Sequence, residues 1–146
     1  MIRAILDTNV IVSGILTPKS VPATILKIGL EGKFKLVISP QVIEEIERVI
    51  RYERVIALMR RHKLTCREVD DFMQKLKRVA MVTPGELEVT AVPSDPGDDM
   101  VLSCALEGKA DFVVSGDHHL TDLKSFQGVS IVNPQKFLQL FSNPNG

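Results

Sequence analysis

Two aspartates stand where short apolar runs end. Asp7 follows Ile2 to Leu6 and is joined by Thr8 and Asn9, so three short oxygen-bearing side chains leave the run together. Asp117 follows Phe112-Val113-Val114-Ser115-Gly116, where the glycine permits a tight departure. Taken singly, such an aspartate reads as a turn or cap residue. Helical geometry, at about 100° per residue, brings in further acids. Asp98 aligns with Leu102 and Ala105 at i+4 and i+7, which puts its carboxylate in the first turn and facing inward, with Asp99 on the side of that stripe. Asp95, before Pro96, reads as an N-cap. After Pro40, Glu44 points nearly opposite the apolar stripe, while Glu45 and Glu47 occupy its two flanks, and periodicity does not choose between them.

Carboxylates gathered at one edge repel one another, so the arrangement is favourable only with protonation or a bound cation. All-oxygen ligands select hard ions such as Mg²⁺ or Mn²⁺. Such a centre suits metal-assisted phosphodiester hydrolysis, in which the cation activates water and offsets charge on the phosphate.

The elements that must position these acids alternate along the chain. A strand over Ile2 to Leu6 feeds a loop at Asp7-Thr8-Asn9, and Ser20 and Pro22 start a helix that Gly32 stops. Phe34 to Ile38 reads as a strand and Ser39-Pro40 as the start of the helix carrying Val42, Ile43, Ile46, Val49 and Ile50. Helices over Val55 to His62 and Cys66 to Val79 follow, the second capped by Thr65, then a strand over Val79 to Thr83, a loop at 93–97 and a helix from Asp98 to Glu107. Asp111 to Ser115 and Ile131-Val132 are further strands, and Pro134 to Phe141 a last helix. This alternation predicts an α/β fold with a mainly parallel sheet covered on both faces, in which ligands collect beyond the carboxyl ends of the strands where strand order reverses.

With 146 residues, 45% of them apolar, the chain suits a single domain over 1–141 with a loose tail over 142–146. The apolar stretches fall short of the roughly 20 residues a membrane span needs, and no secretory leader is visible, so a cytoplasmic protein is expected. Cys66 and Cys104 lack the spacing of a zinc site or a disulfide framework and read as buried thiols.

Eighteen basic residues balance eighteen acidic ones, which argues against a strongly basic nucleic-acid binder but conceals a segregation. Six cations and one acid lie between Arg48 and Lys63, and five acids and no cation between Glu86 and Asp99. The first stretch reads equally as a phosphate-gripping flank or as a solvated helix face. With one tyrosine and no tryptophan, stacking of bases on aromatic rings has few candidates.

Four segments, in order, resemble the acidic motifs of the PIN-domain family, in its compact prokaryotic type that includes toxin ribonucleases of toxin–antitoxin pairs. Ile5-Leu6-Asp7-Thr8-Asn9-Val10 is similar to the first motif and Ser39-Pro40-Gln41-Val42-Ile43-Glu44-Glu45-Ile46 to the second, whose acid immediately precedes an aliphatic residue, favouring Glu45 over Glu47. Asp95-Pro96-Gly97-Asp98-Asp99-Met100-Val101-Leu102 resembles the third, with Asp98 three before Val101 and seven before Ala105. Val113-Val114-Ser115-Gly116-Asp117 resembles the fourth, with serine where threonine is commoner; Gly97 replaces an often acidic position.

The resemblance covers nearly the whole chain and implies a three-layer α/β/α fold and a Mg²⁺- or Mn²⁺-dependent endonuclease, usually acting on RNA, often homodimeric and with an antitoxin partner in many members. It implies Asp7, Glu45 and Asp98 as the main metal-binding carboxylates, Asp117 beside them, Asp99 further out, and Asn9 and Ser115 as orienting groups. Arg48, Arg51 and Arg54 then suit RNA phosphates leading into the site, and equally an acidic segment of a partner. His118 and His119 follow Asp117, within reach of a substrate there, but are expected in a solvent-exposed loop. Among rivals, a haloacid-dehalogenase-type phosphatase places a second aspartate where this chain has Asn9, and a phosphoacceptor receiver lacks its downstream lysine. A PIN-like scaffold that binds RNA or protein without cutting is the serious alternative, because retained acids do not prove turnover.

Overall fold

The computed structural model describes residues 1–89 and 96–141, and of residues 96 and 97 the backbone alone. Its first half runs β1 (Arg3–Leu6), α1 (Thr8–Leu16), α2 (Val21–Leu30), β2 (Lys35–Ile38), α3 (Pro40–Val49), α4 (Glu53–Arg61), α5 (Cys66–Val79) and β3 (Met81–Val82). The second half holds α6 (Pro96–Glu107), β4 (Phe112–Val114), α7 (His118–Thr121), β5 (Ser125–Phe126), β6 (Val129–Val132) and α8 (Pro134–Gln139). Ala4, Ile5 and Leu6 of β1 and Leu36, Val37 and Ile38 of β2 are all buried, the unbroken apolar run expected of parallel strands covered on both faces.

The strands pair in the order β3-β2-β1-β4-β6-β5, every pair parallel except β5 with β6. The chain steps outward from β1 to β3 on one side, then crosses to β4 on the other, so strand order reverses between β1 and β4. This is the three-layer α/β/α arrangement, with its switch point in the middle of the sheet. Register pairs Leu6 with Val114, so the residues that follow these two strands emerge side by side.

Helix starts are set by local chemistry. Ser39 Oγ accepts the Val42 N–H at 3.2 Å and Pro40 occupies the first turn, while Val42, Ile46 and Val49 turn α3 onto the core. Thr65 and Glu68 form a reciprocal capping box that opens α5. At the far side, Phe137 of α8 is fully buried in edge-on contact with Phe34 (5.1 Å between centroids), Phe112 (5.7 Å) and Phe141 (5.2 Å). Gly29 permits this packing, since a Cβ there would lie 2.8 Å from the Phe34 ring.

Several elements differ from the sequence reading. Asp7-Thr8-Asn9 opens no loop, because α1 begins at Thr8 directly after β1. Its Val10-Ile11-Val12 run has poor helix propensity, and burial of all three side chains overrides it. β5 was not foreseen; it pairs with β6 through a turn whose Gln127 and Gly128 both have positive φ, 47° and 88°. β3 is two residues long, and Cys66 is exposed at the first position of α5, whereas Cys104 is buried as expected. Asp95 and the 142–146 tail lie outside the described residues.

The ring cluster makes α8 the anchor of this face. Phe137→Ala is expected to lower unfolding free energy by about 3–5 kcal/mol, read from urea denaturation followed by circular dichroism. A loss below about 1 kcal/mol would show that α8 contributes little to the core.

Candidate functional site

The ends of β1 and β4 are joined by one buried hydroxyl. The Asp7 N–H bonds the Val114 carbonyl at 2.9 Å, continuing the ladder one residue beyond the strand. Asp7 occupies the N-cap position of α1, yet its side chain makes no capping bond. Instead the carboxylate, 8% exposed, accepts at Oδ2 from Ser115 Oγ at 2.8 Å. Ser115 is fully buried, and its Oγ in turn accepts the Asp117 N–H at 3.0 Å. A single serine therefore orients one acid through its carboxylate and the next through its backbone. Asp117 does cap, its Oδ1 accepting the His119 N–H at 2.9 Å at the start of α7.

Asp98 enters from α6, in the first turn and 4% exposed, on the same stripe as the buried Val101, Leu102 and Ala105. Glu45 enters from α3, on the flank where its carboxylate forms an ion pair with Arg48 one turn later. Glu47, on the opposite flank, pairs with Lys77 of α5 at 3.3 Å, so packing separates the two glutamates that periodicity left tied. Asp7, Glu45, Asp98 and Asp117 line one cleft of about 140 Å³ with Thr8, Asn9 and Met100. Asp98, Asp117 and His119 each offer a ligand atom, and these atoms lie within 4.8 Å of one another.

His119 was not assigned to the site from sequence. His118 and His119 are exposed as expected, but they begin a short helix and not a loop. The available signal was the Asp117-x-His119 spacing, because an aspartate that caps the residue two positions on brings that residue against its own carboxylate. Asn9 is exposed on the cleft wall. Asp99 is not brought into this cleft; it lines a neighbouring cavity of about 350 Å³, with Met100 bordering both. Of the three arginines, Arg48 touches an acid of the cleft. Arg51 shares with Arg48 a separate cleft that also holds Tyr52, and the Arg54 guanidinium stands over the Tyr52 ring.

The neighbouring cavity is walled by the segment 85–89, tied down by side chains of α3 and α6. Glu107 accepts the N–H groups of Gly85, Glu86 and Leu87 at 2.8, 2.9 and 3.1 Å. Ser103 Oγ accepts the Val89 N–H at 2.9 Å, and Gln41 Nε2 donates to the Gly85 carbonyl at 2.7 Å. Loss of solvent pushes the Glu107 carboxyl upward, but the bonds from Glu86, Gly85 and Leu87 outweigh it and hold the group below its ordinary value. Cys104 also lines this cavity, and burial pushes its thiol up to about 12 despite a hydrogen bond with Ser39, so it stays neutral and unreactive near pH 7.

Two outcomes follow. Ser115→Ala removes the acceptor of the Asp117 N–H and a donor to Asp7, and should cost about 1–3 kcal/mol in chemical denaturation; Ser115→Thr, which keeps the hydroxyl, should cost less. Because the folded-state pKa of Glu107 is depressed, its contribution is present above the unfolded value of about 4.5 and is lost as pH falls through the lower folded value. Amide exchange at residues 85–87 should therefore lose protection on acidification, and Glu107→Gln should reproduce part of that loss at neutral pH; unchanged protection in the variant would place the hold on this segment elsewhere.

Comparison with known proteins agrees with the fold. A chain in the crystal structure of VapBC2 from Rickettsia felis, bound to a DNA fragment from their promoter, superposes with a TM-score of 0.56 at 15% identity, over 90% of this chain and 98% of that one. At this identity the likeness speaks to the fold. No curated protein is similar enough in sequence to match. The family model described as PIN domain matches residues 3–119, a span that contains Asp7, Glu45, Asp98, Asp117 and His119. The chain belongs to the PIN-domain family.

Proposed function

We propose that this protein is a divalent-metal-dependent endoribonuclease that hydrolyses RNA phosphodiester bonds, and that it acts as the toxin of a toxin–antitoxin pair. The observation that carries the reading is the convergence of Asp7, Glu45, Asp98 and Asp117, from four separate elements, on one small cleft. The donors suit the ion, since carboxylate oxygens are the ligands that Mg²⁺ and Mn²⁺ prefer and Mg²⁺ retains several waters. In this reading Asp7, Glu45, Asp98 and Asp117 hold the cation, with His119 at the rim as a further donor. When bound, the cation supplies Lewis-acid chemistry, making a water nucleophilic and offsetting charge on the phosphate.

The chain's own residues do the rest. Ser115 keeps Asp7 in one rotamer through the bond to Oδ2, and fixes the Asp117 backbone. Asn9, on the exposed wall, presents an amide able to bond substrate or water. Arg48, Arg51 and Arg54 supply positive charge for RNA phosphates beside the cleft. The likeness to a chain of VapBC2 supports an antitoxin protein as partner, and a homodimer in the cytoplasm completes the proposal. No helix among the described residues is long and apolar enough to cross a membrane.

Incubating an end-labelled mixed RNA pool with purified protein in Mn²⁺, Mg²⁺ or EDTA tests this directly. Products should appear only with metal. Ser115→Ala should slow cleavage roughly 10- to 100-fold, as loss of a residue that orients a metal ligand does, and Asp7→Asn should slow it further. Equal inertness of wild type and Asp7→Asn on RNA and single-stranded DNA would sink the hydrolase reading. Tight RNA binding without products would favour the non-cutting scaffold.

A further inference from the structure

Beside the acidic cleft lies a second one, of about 390 Å³, lined by Glu44, Glu47, Arg48, Arg51 and Tyr52. Tyr52 is the chain's single tyrosine and is 41% exposed. The Arg54 guanidinium stands 5.7 Å from the ring centroid, close enough for a cation–π contact. Of the charges around the ring, Glu47 is engaged by Lys77 and Arg48 by Glu45, with Glu44, Arg51 and Arg54 beside them.

The two clefts are connected through one side chain. Arg48 pairs with Glu45 in the acidic cleft and also lines the cleft of Tyr52. Past α3 the chain turns, with the Arg51 N–H on the Arg48 carbonyl at 3.2 Å and the Tyr52 N–H on the Val49 carbonyl at 3.1 Å, and Tyr52 leaves this turn in an extended conformation as the N-cap of α4. Arg48 and Arg51 line the cleft together with Tyr52, and Arg48 also reaches Glu45. A carboxylate cleft, then two arginines, then an exposed ring flanked by a third arginine is the pattern of a single-strand site, where cations track the backbone and an aromatic face takes a base.

We propose that Tyr52 is a stacking platform for one base of a single-stranded RNA substrate, with Arg48 and Arg51 holding the phosphates between that base and the acidic cleft. The proposal rests on the nuclease reading and extends it, because it assigns one side chain of this chain to hold a base beside the acidic cleft. A ring accepts the face of any base, whereas a base within a duplex is already stacked.

The composition of the chain provides a direct readout. With no tryptophan and one tyrosine, tyrosine emission reports this ring alone. The full chain carrying Asp7→Asn, to suppress turnover, is titrated with a short mixed-sequence single-stranded RNA, with the same strand made abasic, and with its duplex. The intact single strand should quench emission saturably, while the abasic strand and the duplex should not. Tyr52→Leu should weaken binding of a labelled strand, read by anisotropy, roughly 5- to 150-fold, and Tyr52→Phe should retain it; circular dichroism checks that both variants fold. In the cleaving protein, Tyr52→Leu should raise KM with kcat nearly unchanged. Binding without quenching, equal quenching by the abasic strand, or undiminished binding by Tyr52→Leu would overturn the platform while leaving metal-dependent cleavage intact. Quenching that depends on Tyr52 in a protein that cuts no RNA would retain the platform and remove the nuclease.

Discussion

Like charges held in one small cleft repel, and a fold that brings four carboxylates together must offset each of them where it stands. The devices here differ from acid to acid. Asp7 receives the Ser115 hydroxyl, Asp117 accepts a backbone N–H from the start of α7, and Glu45 is paired with the Arg48 guanidinium. Asp98 lies in the first turn of α6, where unsatisfied N–H groups favour negative charge. Because these devices are local and act on different elements, the acids stay close without any one element carrying more than one of them.

The sheet topology turns that local chemistry into a site. Reversal of strand order between β1 and β4 opens the only kind of crevice that an open parallel sheet offers, and the Leu6–Val114 register sets residues 7 and 115 next to each other. A shift of one residue would put Ser115 beyond the reach of Asp7. The register is held by burial, since Ile5, Leu6, Val113 and Val114 are fully inaccessible and a slip would exchange the faces on which they pack. The apolar runs flanking the acids are thus what keeps them within hydrogen-bonding distance.

Legibility in the sequence followed the range of the interactions involved. Asp98 was readable because its own helix supplies the reference stripe, and the starts of α3 and α5 were readable because Ser39 and Thr65 cap residues three positions away. Glu45 and Glu47 were inseparable by periodicity, since the difference lies in Lys77, which comes from a helix thirty residues downstream. The start of α1 was hidden by β-branched residues whose helical state depends on tertiary burial, and β5 by its length of two residues. Cys66 fails the rule that thiols are buried because it sits at an exposed helix start. Asp99 follows Asp98 immediately, yet about 100° of helical rotation is enough to give it to the neighbouring cavity.

Composition counted one tyrosine and read it as a scarcity of stacking groups; position changes what that count means. A single exposed ring scattered on a surface needs no explanation. A ring in a cleft shared with Arg48 and Arg51, with Arg54 over its face and Arg48 paired to an acid of the metal-type cleft, does. Arg48 gives the arrangement its logic, because a phosphate bound beside Tyr52 would compete with Glu45 for its guanidinium. A cation that drew Glu45 away from Arg48 would make that guanidinium available to a phosphate, and a phosphate held by Arg48 would leave Glu45 to the acidic cleft. On the proposed reading, loading of the two clefts would be linked through the Arg48–Glu45 pair that joins them, and linkage of this kind acts equally in either direction.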